Sequence, residues 1–292
     1  INRHYLQKYK RKIIKTYKSM TNQKIKKGEL SGRVAFITGG SRGIGLAIAE
    51  ALAKNGAGIA ICGRDKKALD SAIQLLKKRG GLCKGYIADA TNPKDVTLTL
   101  NRIKNDFGRL DILVNNIGGV RQFSNFEKLT DLEWQEVFDV NIMSMVRFTR
   151  ASFPLLRASP CGRVINIASV AGKRPGNFNP HYGAMKAAMI HLSKYLSNQW
   201  GKYGILVNSM SPHTVKGGVW DRDVASKAIR EKLTIEQAEE KMTEEVADKT
   251  VLHGVVGLDD VANLAVYLAS DKAKFITGLC LTIDGGAVNS IF

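Results

Sequence analysis

From Arg33 onward the chain alternates between two hydrophobic patterns. Short apolar runs, rich in Val, Ile and Leu, read as buried strands. They fall at Arg33-Val-Ala-Phe-Ile-Thr38, Gly58-Ile-Ala-Ile-Cys62, 83–87, 112–115, 163–167, 205–210 and 280–283. Between them the apolar residues recur at helical spacing. This predicts helices from the turn after Thr38 to about Gly56, and over 65–78, 92–107, 180–202 and 258–269. Thr130-Asp-Leu-Glu133 is a capping box. It opens a long helix expected to run past Asn141 towards Pro154. Strands alternating with helices place the chain in the α/β class. The expectation is a single domain with one doubly wound parallel sheet of about seven strands and helices on both faces.

Two stretches depart from this rhythm. Residues 1–29 are Lys-rich with no apolar stripe, and they read as a flexible basic extension ahead of a domain at 30–292. They carry no apolar core of a secretory signal. Met20 opens MTNQKIKKGELSGR and reads as the natural start, which makes 1–19 upstream translation or a remnant. A basic transit peptide and a basic anchoring arm are the other readings. The second departure is 213–250. There Thr234-Ile-Glu-Gln237 is another capping box, followed by Ile235, Ala238, Met242 and Val246 at helical spacing. Residues 219–250 hold nine acids and six bases. An amphipathic insertion beyond a strand's C-terminal end is where a substrate lid would sit. A packing helix at a subunit interface is the alternative.

Composition adds limits. The 292 residues suffice for a large core, and 44% hydrophobic with 24% charged residues is ordinary for a globular protein. The net charge of +18 is unevenly spread. Arg3, Lys8, Lys10, Arg11, Lys12, Lys15 and Lys18 crowd the first 19 residues, which contain no acid. A basic body favours anionic ligands such as phosphates. No nucleic-acid motif accompanies it, so no nucleic-acid partner is expected. No run reaches the length of a membrane span. Cys62, Cys83, Cys161 and Cys280 are scattered, without metal or disulfide spacing. Free thiols in a reducing, cytoplasmic setting follow.

Chemistry concentrates at His181-Tyr182-Gly183-Ala184-Met185-Lys186. A Tyr and a Lys four apart share one helix face. The ammonium is expected to favour phenolate and lower the Tyr182 pKa, giving a proton donor near neutral pH. A cofactor site is signalled by Thr38-Gly39-Gly40-Ser41-Arg42-Gly43-Ile44-Gly45, between the first strand and first helix. Glycines there let the backbone approach a pyrophosphate on a helix N-terminus. The end of the second strand then reads the ribose. An acid there suits NAD, whereas a 2′-phosphate wants Arg. This chain has Gly63-Arg64, with Arg42 and Ser41 in the turn and Asp65 one residue late. Two guanidiniums converging on one spot suit a phosphate, so NADP(H) is the expected cofactor.

With these residues in hand, the chain resembles the short-chain dehydrogenase/reductase family, Rossmann-type enzymes, from about Leu30 to Gly286. The Gly-rich turn, Asn115-Asn116-Ile117-Gly118 after the fourth strand, and Asp284-Gly285-Gly286 match its signatures. The resemblance implies a catalytic tetrad of Asn141, Ser169, Tyr182 and Lys186. Tyr182 would protonate a carbonyl oxygen as hydride arrives, and Ser169 would hold that carbonyl. Lys186 would bind the nicotinamide ribose, and Asn141 would seat a proton-relay water. It also implies cofactor contacts from Gly39, Ser41, Arg42, Gly43, Ile44, Gly45, Arg64, Asp89, Asn116, Gly118, Tyr182, Lys186, Pro212 and Val215. Asp89 matches the acid that contacts adenine.

Three departures from the family pattern stand out. Ile117 replaces an Ala. Pro212-His213 stands where Pro-Gly is usual. Gly217 replaces the Thr that binds the nicotinamide carboxamide, which leaves a backbone contact such as Val215. The family members most alike in these motifs are 3-oxoacyl-carrier-protein reductases, so the resemblance implies a 3-oxoacyl thioester substrate. Another ketone, polyol, steroid or xenobiotic is the alternative, and a non-catalytic dinucleotide sensor a further one. Those reductases often carry Arg beside the active-site mouth for an acidic carrier protein. The matched positions here are Pro160 and Tyr203. The family also implies a homo-oligomer, a tetramer paired through helices at 131–156 and 181–202.

Overall fold

The computed structural model describes residues 28–120, 123–177 and 179–289. The extension at 1–27, with the Met20 start, lies outside the described residues. The seven predicted strands form β1 (Val34–Thr38), β2 (Gly58–Gly63), β3 (Cys83–Ile87), β4 (Ile112–Asn115), β5 (Arg163–Ile167), β6 (Leu206–Pro212) and β9 (Cys280–Ile283). They make one parallel sheet in the order β3-β2-β1-β4-β5-β6-β9. The strand order reverses between β1 and β4, and in such sheets ligands bind beyond the carboxyl ends of the strands at that switch point.

Helices α1 (Gly43–Lys54), α2 (Lys66–Arg79), α3 (Pro93–Phe107), α4 (Asp131–Phe138), α5 (Ser144–Ala158) and α6 (Pro180–Trp200) follow the strands. Two apolar clusters sandwich the sheet. One packs Ile48, Leu52, Leu69 and Leu76, with Val261, Ala265 and Leu268 of α9 (Leu258–Ala269), against Ile37, Ile61 and Val114. The other packs Leu100, Ile103, Phe148 and Trp200 against Phe36, Leu113 and Val164. Strands buried on both faces explain their continuous apolar sequences.

The capping box at Thr130 forms as read, with Thr130 and Glu133 satisfying each other's backbone N–H. The long helix it opens is not uniform. Residues Asp139–Met143 widen into a π turn between α4 and α5, and Asn141 lies inside it. Such one-turn widenings concentrate at functional sites.

The segment 213–250 holds more structure than its sequence revealed. The capping box at Thr234 starts α8 (Ile235–Ala247) as expected. Another helix, α7 (Val219–Glu231), precedes it. The two form a hairpin around a core of their own, made of Trp220, Val224, Ala228, Ala238 and Val246. A two-residue ladder, β7 (Val215–Lys216) with β8 (Val256–Gly257), ties its base. The sequence hid α7 because its apolar positions are diluted among charges: Asp221, Arg222, Asp223, Lys227, Arg230 and Glu231.

Candidate active site

The Gly-rich turn is built for close approach. A side chain at Gly45 would place its Cβ 2.4 Å from the Gly39 carbonyl oxygen and 2.5 Å from Asn116 Nδ2. Only glycine lets α1 start so near the turn that precedes it. Thr38 organises the far wall. Its Oγ1 accepts the backbone N–H of Asn116 at 2.9 Å and of Ile117 at 3.2 Å. Asn116 Nδ2 donates back to the carbonyls of Thr38 and Gly39 at 3.0 and 3.1 Å. Thr38 was not singled out from sequence, although it ends β1 directly before the first glycine. No side chain caps α1 at Arg42. The orphan N–H groups of the first helical turn are therefore left for an anion.

Next to this seat, a Cβ on Gly63 would lie 3.4 Å from Ser41 Oγ, so Ser41 reaches the end of β2. Arg42 and Arg64 are both exposed there. Asp65 is occupied elsewhere. Its carboxylate caps α2, accepting from the N–H groups of Lys67 and Ala68. The one acid near the ribose position is thus spent on a helix terminus. Asp89 uses Oδ1 for the N–H and hydroxyl of Thr91. Those bonds, Thr91's N–H foremost, hold its carboxyl below the usual range, and Arg64 and Arg147 add to the shift. Ile117 lies against the turn, with Cγ1 3.1 Å from where a Gly39 Cβ would stand.

The predicted tetrad comes together at the carboxyl ends of β4 and β5. Ser169 caps the short turn after β5, its Oγ accepting the Ala171 N–H at 3.2 Å. That leaves its own proton to give, and the Tyr182 phenol is within its reach. Lys186, one turn along α6, is buried and donates to the Ile167 carbonyl at 2.8 Å. Its Nζ sits 5.5 Å from the centre of the Tyr182 ring.

The electrostatics differ from the expectation drawn from spacing. Tyr182 is raised, not lowered, because burial of the phenol outweighs the hydrogen bond from Ser169. Lys186 is itself pushed down to about 8 by burial. A lysine short of water holds its charge poorly, so its leverage on the tyrosine is small.

The side chain of Asn141 is engaged with backbone. Its amide is a clamp on the β4 loop, donating to Gly119 O at 2.8 Å and Val137 O at 2.9 Å and accepting the Gly119 N–H at 2.9 Å. Gly118 passes between the two polar side chains. A Cβ there would lie 2.7 Å from Asn141 Oδ1 and 2.9 Å from Lys186 Nζ.

Supporting residues were not legible from sequence. Asn179, in left-handed backbone at φ 58°, grips the β4 loop through Ser124, with bonds of 2.8 and 2.9 Å. His181 is buried edge-on against Trp134, ring centres 5.8 Å apart. Both fix the start of α6 and hence Tyr182. Pro212 closes β6, and Val215 lies in the β7–β8 ladder. Pro160 and Tyr203 are not beside this site. They precede β5 and β6, at the opposite end of the sheet from Ser169. The Tyr203 ring there is flanked by Arg157 at 4.8 Å and Lys202 at 5.2 Å.

The geometry resembles known proteins closely. Residues 39–288 match a family model described as enoyl-(acyl carrier protein) reductase. The chain belongs to the short-chain dehydrogenase/reductase family. It is 32% identical over 255 residues to the 3-oxoacyl-(acyl-carrier-protein) reductase of Escherichia coli, covering 87% of this chain and 97% of that protein. Among solved structures it matches L-sorbose reductase from Gluconobacter frateurii, complexed with NADPH and L-sorbose. The TM-score is 0.84 at 31% identity, with 90% of this chain and 98% of that one covered. It also matches an NAD+-bound xylitol dehydrogenase, with a TM-score of 0.80 at 26% identity, covering 88% of this chain and 99% of that one. As a member of this family the chain is a nicotinamide-dinucleotide oxidoreductase. Among the described residues, no helix is long and apolar enough to cross a membrane.

Proposed function

We propose that the protein reduces a ketone to a secondary alcohol with NADPH. The observation that carries this reading is the buried Lys186 one helical turn from Tyr182, its Nζ 5.5 Å from the ring centre, with Ser169 within reach of the phenol. The turn at Gly39–Gly45 and the uncapped start of α1 fit the pyrophosphate, and Ser41, Arg42 and Arg64 fit the 2′-phosphate. Bound there, NADPH supplies the hydride.

The chain's own residues handle the proton and the oxygen. Ser169 donates to the carbonyl and holds it beside Tyr182. Tyr182 protonates the oxygen as negative charge develops. Burial keeps the phenol protonated before the reaction, and it gives up its proton only as negative charge develops on the substrate oxygen. Lys186 restores the proton through its ammonium. Asn141 fixes the Gly118–Gly119 backbone that lies against Lys186. Asp89, Asn116, Pro212 and Val215 complete the cofactor's surroundings. Charge developing on a carbonyl oxygen is best met by donors held in place beforehand.

A 3-oxoacyl thioester is the first substrate reading. The likeness to the Escherichia coli relative supports it. A free polyhydroxy ketone is the second. It is favoured by the likeness to L-sorbose reductase and by the exposed acidic row of Glu236, Glu240, Glu244 and Asp248 on α8, which would repel an acidic carrier protein. Following NADPH oxidation with acetoacetyl thioesters beside L-sorbose separates the two. Brisk thioester turnover supports the first, and sugar reduction without thioester turnover overturns it. A homotetramer paired through α4–α5 and α6, in the cytoplasm, completes the reading, and light scattering measures its mass.

A further inference from the structure

Ser169 is followed within five residues by Arg174, an exposed arginine whose Nη1 donates to the Ala287 carbonyl at 2.7 Å. That carbonyl belongs to the loop after β9. Two other segments meet the same loop. The backbone N–H of His213, one residue past β6, donates to Ile283 O at 2.9 Å. Leu252, just past the lid hairpin, donates its N–H to Gly285 O at 3.1 Å. The β9 loop therefore gathers the strand end behind Ser169, the strand end that launches the lid, and the lid's return.

The charges brought together there do not balance. Burial first, and then Lys249 and Arg174, disfavour protonation of the His213 ring, while Asp284 favours it. Asp284 already accepts the N–H groups of Gly286 at 3.0 Å and Val288 at 2.8 Å. His213 Nδ1 is buried with no hydrogen-bond partner among the described residues. A buried orphan polar atom beside surplus positive charge is costly unless something completes it.

We propose that Arg174, Lys249 and His213 form a subsite for an anionic group on the substrate, so that the favoured ketone carries a carboxylate or a phosphate away from its carbonyl. The guanidinium and ammonium supply the charge, and the imidazole supplies a directed hydrogen bond. Arg suits the planar oxyanion face and Lys the point charge. The subsite rests on the reductase reading. It narrows that reading to anionic ketones, and it is compatible with the phosphate of a pantetheine thioester or the carboxylate of a free oxo acid.

The test pairs charged substrates with uncharged analogues. NADPH oxidation is followed with terminal methyl-ketone acids of increasing chain length against their methyl esters. In parallel, acetoacetyl-coenzyme A is compared with acetoacetyl-N-acetylcysteamine, which lacks phosphate. The wild type is expected to prefer one charged partner by about tenfold or more in kcat/KM, chiefly through KM, the scale of a charge-assisted contact. The pair that shows the preference identifies the carboxylate or the phosphate as the source. Arg174→Met and Lys249→Met should each cut that ratio several-fold, and Lys94→Met, which removes a charge from α3, should not. Equal rates within both pairs, a ratio that survives both substitutions, or an equal loss with Lys94→Met would overturn the subsite. Absence of NADPH-dependent turnover with every ketone would instead overturn the reductase reading, and the subsite with it.

Discussion

The sheet and the lid are stabilised differently. The sheet lies between two large apolar clusters, and the side chains that carry chemistry are held by buried hydrogen bonds to its backbone: Lys186 to Ile167, Asn116 to Thr38 and Gly39. The α7–α8 hairpin has a small core centred on Trp220 and is tied by charge. Lys227, nearly buried, reaches from α7 to Glu245 on α8 at 2.7 Å and also bridges Glu231 at 3.2 Å. Local opening free energies track buried apolar contact. The sheet therefore holds the candidate catalytic residues in place, and the hairpin has far fewer apolar contacts to hold it.

The largest effect should come from the rigid side. Tyr182→Phe removes the proton donor and is expected to lower kcat by at least 10²–10⁴-fold, the range of general acid catalysis. NADPH affinity, measured by fluorescence titration, should stay within a few-fold. Near-normal turnover would remove Tyr182 from the mechanism. Gly118→Ala comes next, because its methyl cannot fit between Asn141 and Lys186 without displacing one of them. We expect activity to fall steeply while the far-ultraviolet circular dichroism stays that of the folded enzyme.

Trp220→Ala turns to the hairpin. Deleting a buried Trp costs about 3–5 kcal/mol where it packs. Here that cost should appear as faster proteolysis or amide exchange at 219–247 and a higher KM, with the sheet's exchange pattern unchanged. Global unfolding at the same lowered temperature would show that sheet and lid are one cooperative unit.

A subtler effect lies in pH. Lys186 is held near 8 when folded, against 10.5 for the free side chain. Between those values the unfolded chain binds the extra proton, so stability should rise as pH climbs from about 8 to 10.5 and the burial penalty fades. Thermal unfolding across that range should lose this component in Lys186→Met. Lys227→Met is expected to be milder. A partly exposed pair contributes on the order of 1 kcal/mol, and the lid should loosen with little change in kcat.

Legibility in the sequence divides along the same line. Strands buried on both faces must be apolar throughout, so β1, β2 and β5 could be read directly. The glycines of the turn, the spacing of Tyr182 and Lys186, and both capping boxes encode local geometry and were likewise visible. What stayed hidden depends on burial or on distant partners. The direction of the Tyr182 shift is set by how much water the fold removes, which no spacing records. The clamp of Asn141 on Gly119 joins residues 22 apart in the chain. Helix α7 was missed because charges dilute its apolar positions, and its core is completed by Ala238 and Val246 of α8. Pro160 and Tyr203 were placed beside the mouth by matched position, whereas the chain order of strands and helices puts them at the other end of the sheet.

The seam between the two regions has a consequence for how such a protein can change. Gly217 and Gly218 both adopt positive φ, at 112° and 72°. A Cβ on Gly218 would lie 3.0 Å from Gly43 Cα, within the cofactor turn itself. The segment that launches the hairpin therefore meets the Gly-rich turn backbone to backbone where Gly218 faces Gly43. Residues of α7 and α8 can be exchanged without altering that joint, and the Gly-rich turn need not be retuned when they are. Such a joint decouples two inheritances: what the enzyme uses to deliver electrons can stay constant while what receives them diversifies.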